Sequence, residues 1–189
     1  MRRLIVQEWM SLDGFAADKN DRLDFFAPTV RDIYQDEYYQ QYLENIDCIL
    51  LGKNTYKQFS AVWPARSGDR LAEKINTSEK IVFSGSLMNA PWGQWRAASI
   101  SATDLPSKIM ELKSLPGKNI VIWGSLSLVR QAMKAQLIDE FHIHICPVIT
   151  GGGLRLFTHD HHAELKLIRS KHFDNGVVAL HYQAQTNYT

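Results

Sequence analysis

The chain has 189 residues, 45% of them hydrophobic and 22% charged, with a formal net charge of +1. That length suits one α/β domain with a sizeable core. A balanced charge with no basic stripe argues against a nucleic-acid partner, and no apolar run is long enough to span a bilayer.

Met1-Arg2-Arg3 is followed by an apolar run that Gln7 and Glu8 interrupt. Arg3–Trp9 therefore reads as a first strand rather than a leader, and the expected location is cytoplasmic. Ser11-Leu12-Asp13-Gly14 turns the chain. Asp13 stands just past the carboxyl end of that strand, the ligand side of an open α/β sheet. It reads either as a substrate-facing carboxylate or as a turn cap. Asp18–Asp24 is a polar loop. Val30–Asn45 is a predicted helix with a stripe of Ile33, Tyr34, Tyr38, Tyr42 and Ile46, capped by Thr29, with Asp32 and Asp36 in its opening turns.

Asp47–Leu51 is the second strand and runs into Gly52-Lys53-Asn54-Thr55 at a helix start. A lysine and a hydroxyl there can meet a phosphate together with free N–H groups. Ala72–Asn76 is a short helix. Lys80–Phe83 is the third strand, followed by Ser84-Gly85-Ser86. Thr103 is the expected cap of a helix whose inner face is Leu105, Ile109 and Leu112. Ile120–Trp123 is a buried strand that turns at Gly124-Ser125 into a helix opening at Leu126.

Phe141, Ile143 and Ile145 alternate with His142, His144 and Cys146, a period of two. A histidine pair on one strand face can bind metal, but no third ligand follows at a fixed interval. Packed or hydrogen-bonded histidines and no metal are expected. Cys48 and Cys146 lie in apolar runs as free thiols. Gly151-Gly152-Gly153 costs chain entropy, which something close to the backbone would explain. His159, His161 and His162 belong to a solvated loop. Ala163–His172 and Val177–Tyr182 are strands joined by Asp174-Asn175-Gly176, a type I′ hairpin signal. Residues 1–189 are thus read as one α/β domain, a mixed and mostly parallel sheet with helices on both faces and a terminal antiparallel hairpin.

Three strands end in glycine–hydroxyl turns, at Gly52–Thr55, Ser84–Ser86 and Gly124–Ser125. Together they suit an extended, multiply phosphorylated ligand such as a dinucleotide. No Gly-x-Gly-x-x-Gly follows the first strand, and no Gly-x-x-x-x-Gly-Lys-Ser/Thr loop is present. As an ordered set, Ser11–Gly14, Leu51–Tyr56, Phe83–Ser86, Trp123–Ser125, Leu137–Glu140 and Pro147–Phe157 resemble the dihydrofolate-reductase-like superfamily. The branch they resemble most is the reductase domain of bifunctional riboflavin-biosynthesis deaminase/reductases. The resemblance covers nearly the whole chain.

That resemblance implies NADPH-dependent hydride transfer to a small polar molecule, such as a phosphorylated ribosylaminopyrimidine. It implies cofactor contacts from Gly52, Lys53, Asn54, Thr55, Ser84, Gly85, Ser86, Gly124, Ser125, Leu126, Gly151 and Gly152. The family usually carries arginine where Lys53 stands, so the planar fork on the 2′-phosphate is missing here. Asp13 is the candidate proton donor or orienting group. Asp32 or Glu37 would hold a pterin if the substrate were dihydrofolate. A non-catalytic nucleotide-binding protein would keep the turns and lack a reacting group. A homodimer is expected, through the His142–Cys146 face or the final hairpin.

Overall fold

The computed structural model describes residues 1–20, 25, 33–158 and 162–185. In chain order its elements are β1 (Leu4–Ser11), β2 (Phe15–Ala17), α1 (Glu37–Glu44), β3 (Ile46–Gly52), α2 (Lys53–Val62), α3 (Arg70–Thr77), β4 (Glu79–Phe83), β5 (Ser99–Ser101), α4 (Leu105–Ser114), β6 (Asn119–Trp123), α5 (Leu126–Lys134), β7 (Glu140–Cys146), β8 (Leu154–Arg155), β9 (Leu165–His172) and β10 (Val178–Ala184). Eight strands form one sheet in the order β5-β4-β3-β6-β1-β7-β10-β9. Neighbours from β5 to β7 are parallel. β10 pairs antiparallel with both β7 and β9.

The apolar alternation of each strand feeds two cores, one on each face. Ile5, Trp9, Ile49 and Leu51 meet Tyr39, Tyr42 and Leu43 of α1 and Leu71 and Ile75 of α3. On the other face Leu4, Val6, Leu50, Ile120 and Ile122 meet Ile109 and Leu112 of α4 and Leu128 and Val129 of α5. This is the expected α/β three-layer arrangement, with a mixed, mostly parallel sheet between helices. The chain leaves β1, builds β3 two places away, and later fills the gap with β6. Such a reversal opens a crevice at the carboxyl ends of the strands.

Three local expectations differ from the structure. The helix read from Val30 to Asn45 is interrupted: Ile33 and Tyr34 are helical, and Asp36 then caps a new helix by accepting from the Tyr39 N–H. The restart moves the buried stripe to Tyr39, Tyr42 and Leu43. Thr29 and Asp32 lie outside the described residues. The cap of α4 is Asp104, which accepts from the Ser107 N–H at 3.0 Å, not Thr103. A carboxylate there also complements the helix dipole. The terminal hairpin forms, but Gly176 N–H donates to Phe173 O and only Gly176 takes a positive φ. Asp174 and Asn175 are therefore the central residues of the turn, whereas a type I′ turn needs positive φ at both.

Cys48 and Cys146 are buried, and neither is in a disulfide. Among the described residues no helix is long and apolar enough to cross a membrane.

Candidate active site

Helix N-termini leave backbone N–H groups without partners inside the helix. In α1, α3 and α4 the side chain of an aspartate, Asp36, Asp69 or Asp104, accepts from one of them. The caps of α2 and α5 are Gly52 and Ser125, and neither makes a side-chain cap bond. These two helices start side by side. The Gly52 N–H donates to Ser125 Oγ at 2.8 Å. Gly124 and Ser125 both take left-handed φ, at 60° and 58°. A Cβ on Gly124 would come within 3.3 Å of Thr55 Cγ2, so the second turn sits directly against the first turn of α2.

Both helix starts open on a cavity of about 1180 Å³. Gly52, Lys53, Asn54 and Thr55 line it from α2. Gly124, Ser125 and Leu126 line it from α5, and Ser84 and Gly85 from the end of β4. Ser86 is not part of the lining, but its Oγ accepts from Lys53 Nζ at 2.8 Å, which ties the third turn to the first. Ser84 Oγ accepts from the Ser86 and Leu87 N–H groups and so holds its own turn.

Asp13, Gly151 and Gly152 stand apart from that lining. The Asp13 carboxylate accepts from the Thr150 N–H at 3.1 Å and the Gly151 N–H at 2.8 Å. The Ser11 hydroxyl and these two amides pull Asp13 down to about 2. A carboxyl group so far into its ionised range is not a proton donor near neutral pH. The carboxylate thus holds the loop after β7. The glycine run has its own explanation at one position: a Cβ on Gly153 would sit 1.9 Å from Ala17 O. The close approach is to β2.

Sequence reading took Gln7 and Glu8 of β1 only as an interruption of an apolar run. All eight residues of this strand are buried, and a buried polar group without a partner is costly. Gln7 is explained, because its Oε1 accepts from Trp123 Nε1 and from the Tyr39 hydroxyl. Glu8 is not. Its Oε1 accepts from the Trp9 N–H, while Oε2 has no partner among the described residues. Glu8 lines the cavity, and burial pushes its carboxyl up to about 8. It therefore carries its proton at neutral pH. Arg130, on α5, lines the same cavity, and its buried Nε is also without a partner among the described residues. Glu37 is exposed at the start of α1 and is not in the lining.

The two histidines of the β7 alternation separate in role. His144 stacks on Trp9, with ring centroids 4.4 Å apart, and burial pushes it down to about 3. His142 instead meets Glu140 and His181.

Comparison with known proteins agrees with this architecture. The family model of the RibD C-terminal domain matches residues 2–179. The chain is 29% identical over 187 residues to the uncharacterized protein YyaP of Bacillus subtilis (strain 168), covering 96% of this chain and 94% of that one. A putative riboflavin biosynthesis protein from Shewanella sp. PV-4 superposes with a TM-score of 0.79 at 22% identity, over 97% of this chain and 99% of that one. Dihydrofolate reductase from Enterococcus faecalis, solved with NADP(H), superposes with a TM-score of 0.64 at 13% identity, over 97% and 96% of the two chains. At these identities the two structural likenesses are of fold.

Proposed function

The chain belongs to the RibD C-terminal domain family, and on that premise we propose that it is an NADPH-dependent reductase of a small, polar, phosphorylated substrate. The substrate class favoured is a phosphoribosylaminopyrimidine of the riboflavin type. The observation that carries the reading is the pair of helix starts at Gly52 and Ser125, bonded to each other and free of capping carboxylates. Two uncapped N-termini, one lysine and three hydroxyl-bearing turns form a donor set for phosphate.

A dinucleotide fits those donors. Its phosphates would be held by the starts of α2 and α5 with Lys53, Thr55 and Ser84, and Gly124 leaves room for close approach to the backbone. When bound, the dinucleotide supplies hydride. The protein supplies the proton. Reduction of a C=N or C=O group leaves an electron pair on nitrogen or oxygen, and the protonated Glu8 carboxyl is the buried acid facing that space. Arg130 offers an unpartnered N–H to a substrate anion. Asp13 positions the loop at Thr150–Gly151 and is assigned no proton transfer. Residues 1–189 act as one domain in this reading.

A second copy completes the proposed assembly. β9 is an edge strand, and Leu167 and Ile168, at the bulge where it pairs with β10, are 49% and 48% exposed. Exposed apolar edge strands invite pairing with another chain.

Calorimetry with NADPH and NADH, followed by NADPH-oxidation assays with the ribosylaminopyrimidine phosphate and with dihydrofolate, tests the reading. Tighter binding of NADPH and turnover of the aminopyrimidine are expected. Turnover of dihydrofolate alone would move the protein to the other branch. Binding without turnover of either would favour the non-catalytic reading.

A further inference from the structure

Outside the large cavity the described residues gather one set of metal-ligating side chains. Glu140 and His142 are two apart on β7, so they share a face of the sheet. β10 pairs antiparallel with β7 in a register that sets His181 directly opposite His142. The three side chains meet there. Glu140 Oε2 lies 3.1 Å from His142 Nε2 and 3.0 Å from His181 Nε2, and all three ligand atoms fall within 4.8 Å of one another. The side chains are 7%, 9% and 14% exposed.

We propose that Glu140, His142 and His181 bind a divalent transition metal of the zinc class. Zinc bonds of about 2.0–2.1 Å in a tetrahedron place neighbouring ligand atoms about 3.3 Å apart, close to the two separations found here. Both imidazoles point the nitrogen that would ligate, Nε2, at the same carboxylate oxygen. The Tyr38 hydroxyl is bonded to His181 Nδ1 and fixes that ring from behind, the outer partner that metal-bound histidines commonly have. On binding, each ring carries its proton on Nδ1, and His181 then donates to Tyr38.

Among the surrounding cations, Arg3 is paired with one of the proposed ligands. Arg3 holds the other oxygen of Glu140 and is itself 61% exposed. Lys171 pairs with Asp36, and Arg169 lies over the Tyr38 ring at 4.2 Å. A cleft of about 30 Å³, lined by Tyr38, His142 and His181 along with Arg169 and Lys171, adjoins the two imidazoles and has room for one water-sized guest. None of the three ligands lines the large cavity. The site would tie β10 to β7 and is independent of the reductase reading.

The test is titration of the EDTA-treated full chain with Zn²⁺ alone, followed by calorimetry and thermal melting. One equivalent per chain and a rise in Tm of several degrees are expected. His181→Gln and Glu140→Gln should each weaken binding at least tenfold, and Tyr38→Phe about tenfold through loss of the outer bond. Co²⁺ bound to the unaltered chain should give a tetrahedral ligand-field spectrum, a readout that does not depend on the variants folding. Absence of binding to the unaltered chain overturns the proposal. So does stoichiometric binding that survives His181→Gln, or an octahedral Co²⁺ spectrum.

Discussion

Ser125 Oγ accepts the backbone N–H of Gly52 at 2.8 Å, across 73 positions of chain. The bond joins the starts of α2 and α5, and it places a hydroxyl where the other helices carry carboxylates. Ser125→Ala removes the acceptor of this buried N–H. The expected cost is about 1–3 kcal/mol, read as a lower Tm. NADPH affinity should fall about tenfold in calorimetry, because the two phosphate-facing turns lose their shared anchor.

The third glycine of the run after β7 is a steric requirement. A Cβ on Gly153 would lie 1.9 Å from Ala17 O, at a φ of 141°. Gly153→Ala should destabilise the fold by at least about 2 kcal/mol in chemical denaturation. Gly152 has nothing within 4 Å of its would-be Cβ. Gly152→Ala should stay within about 0.5 kcal/mol of the parent.

Glu8 makes stability depend on pH in a stated direction. Its carboxyl is pushed from 4.5 up to about 8 in the fold. Between those values the folded state binds one more proton than the unfolded state, so stability falls as pH rises. The slope from this group is at most about 1.4 kcal/mol per pH unit. Below about pH 6.5 the buried His144, pushed down to about 3, opposes this slope, because its unfolded form takes up a proton there. Denaturation midpoints measured between about pH 7 and pH 8 should therefore show the decline, and Glu8→Gln should flatten it.

The exposed edge formed by β9 predicts self-association. Sedimentation at micromolar concentration should give a dimer, and Ile168→Glu should shift it toward monomer with little change in Tm. A monomeric parent protein would remove the second copy from the account.

The βα units were legible because their signals are local. Ile120–Trp123 is a short apolar run, Gly124 punctuates it, and Leu126 opens a helix, all within one window. The hairpin was legible from Asn175-Gly176, but its turn type was not, since the hydrogen bond from Gly176 to Phe173 depends on how the strands meet. Thr103 lost the cap to its neighbour Asp104, a choice between adjacent good caps that only geometry decides. Glu8 read as an interruption in a strand, and its meaning comes from burial that the sheet order imposes. Glu140 and His181 stand 41 residues apart, so no spacing rule brings them together; the β7–β10 register does.

The most direct test of the reductase account is the pH–rate profile of NADPH oxidation with the ribosylaminopyrimidine phosphate, for the parent protein and Glu8→Gln. The account predicts a parent rate that declines above about pH 8, where Glu8 loses its proton. It predicts a Glu8→Gln rate lower by about 100-fold or more, with NADPH affinity unchanged. A variant that turns over at the parent rate, with the same alkaline decline, would contradict it.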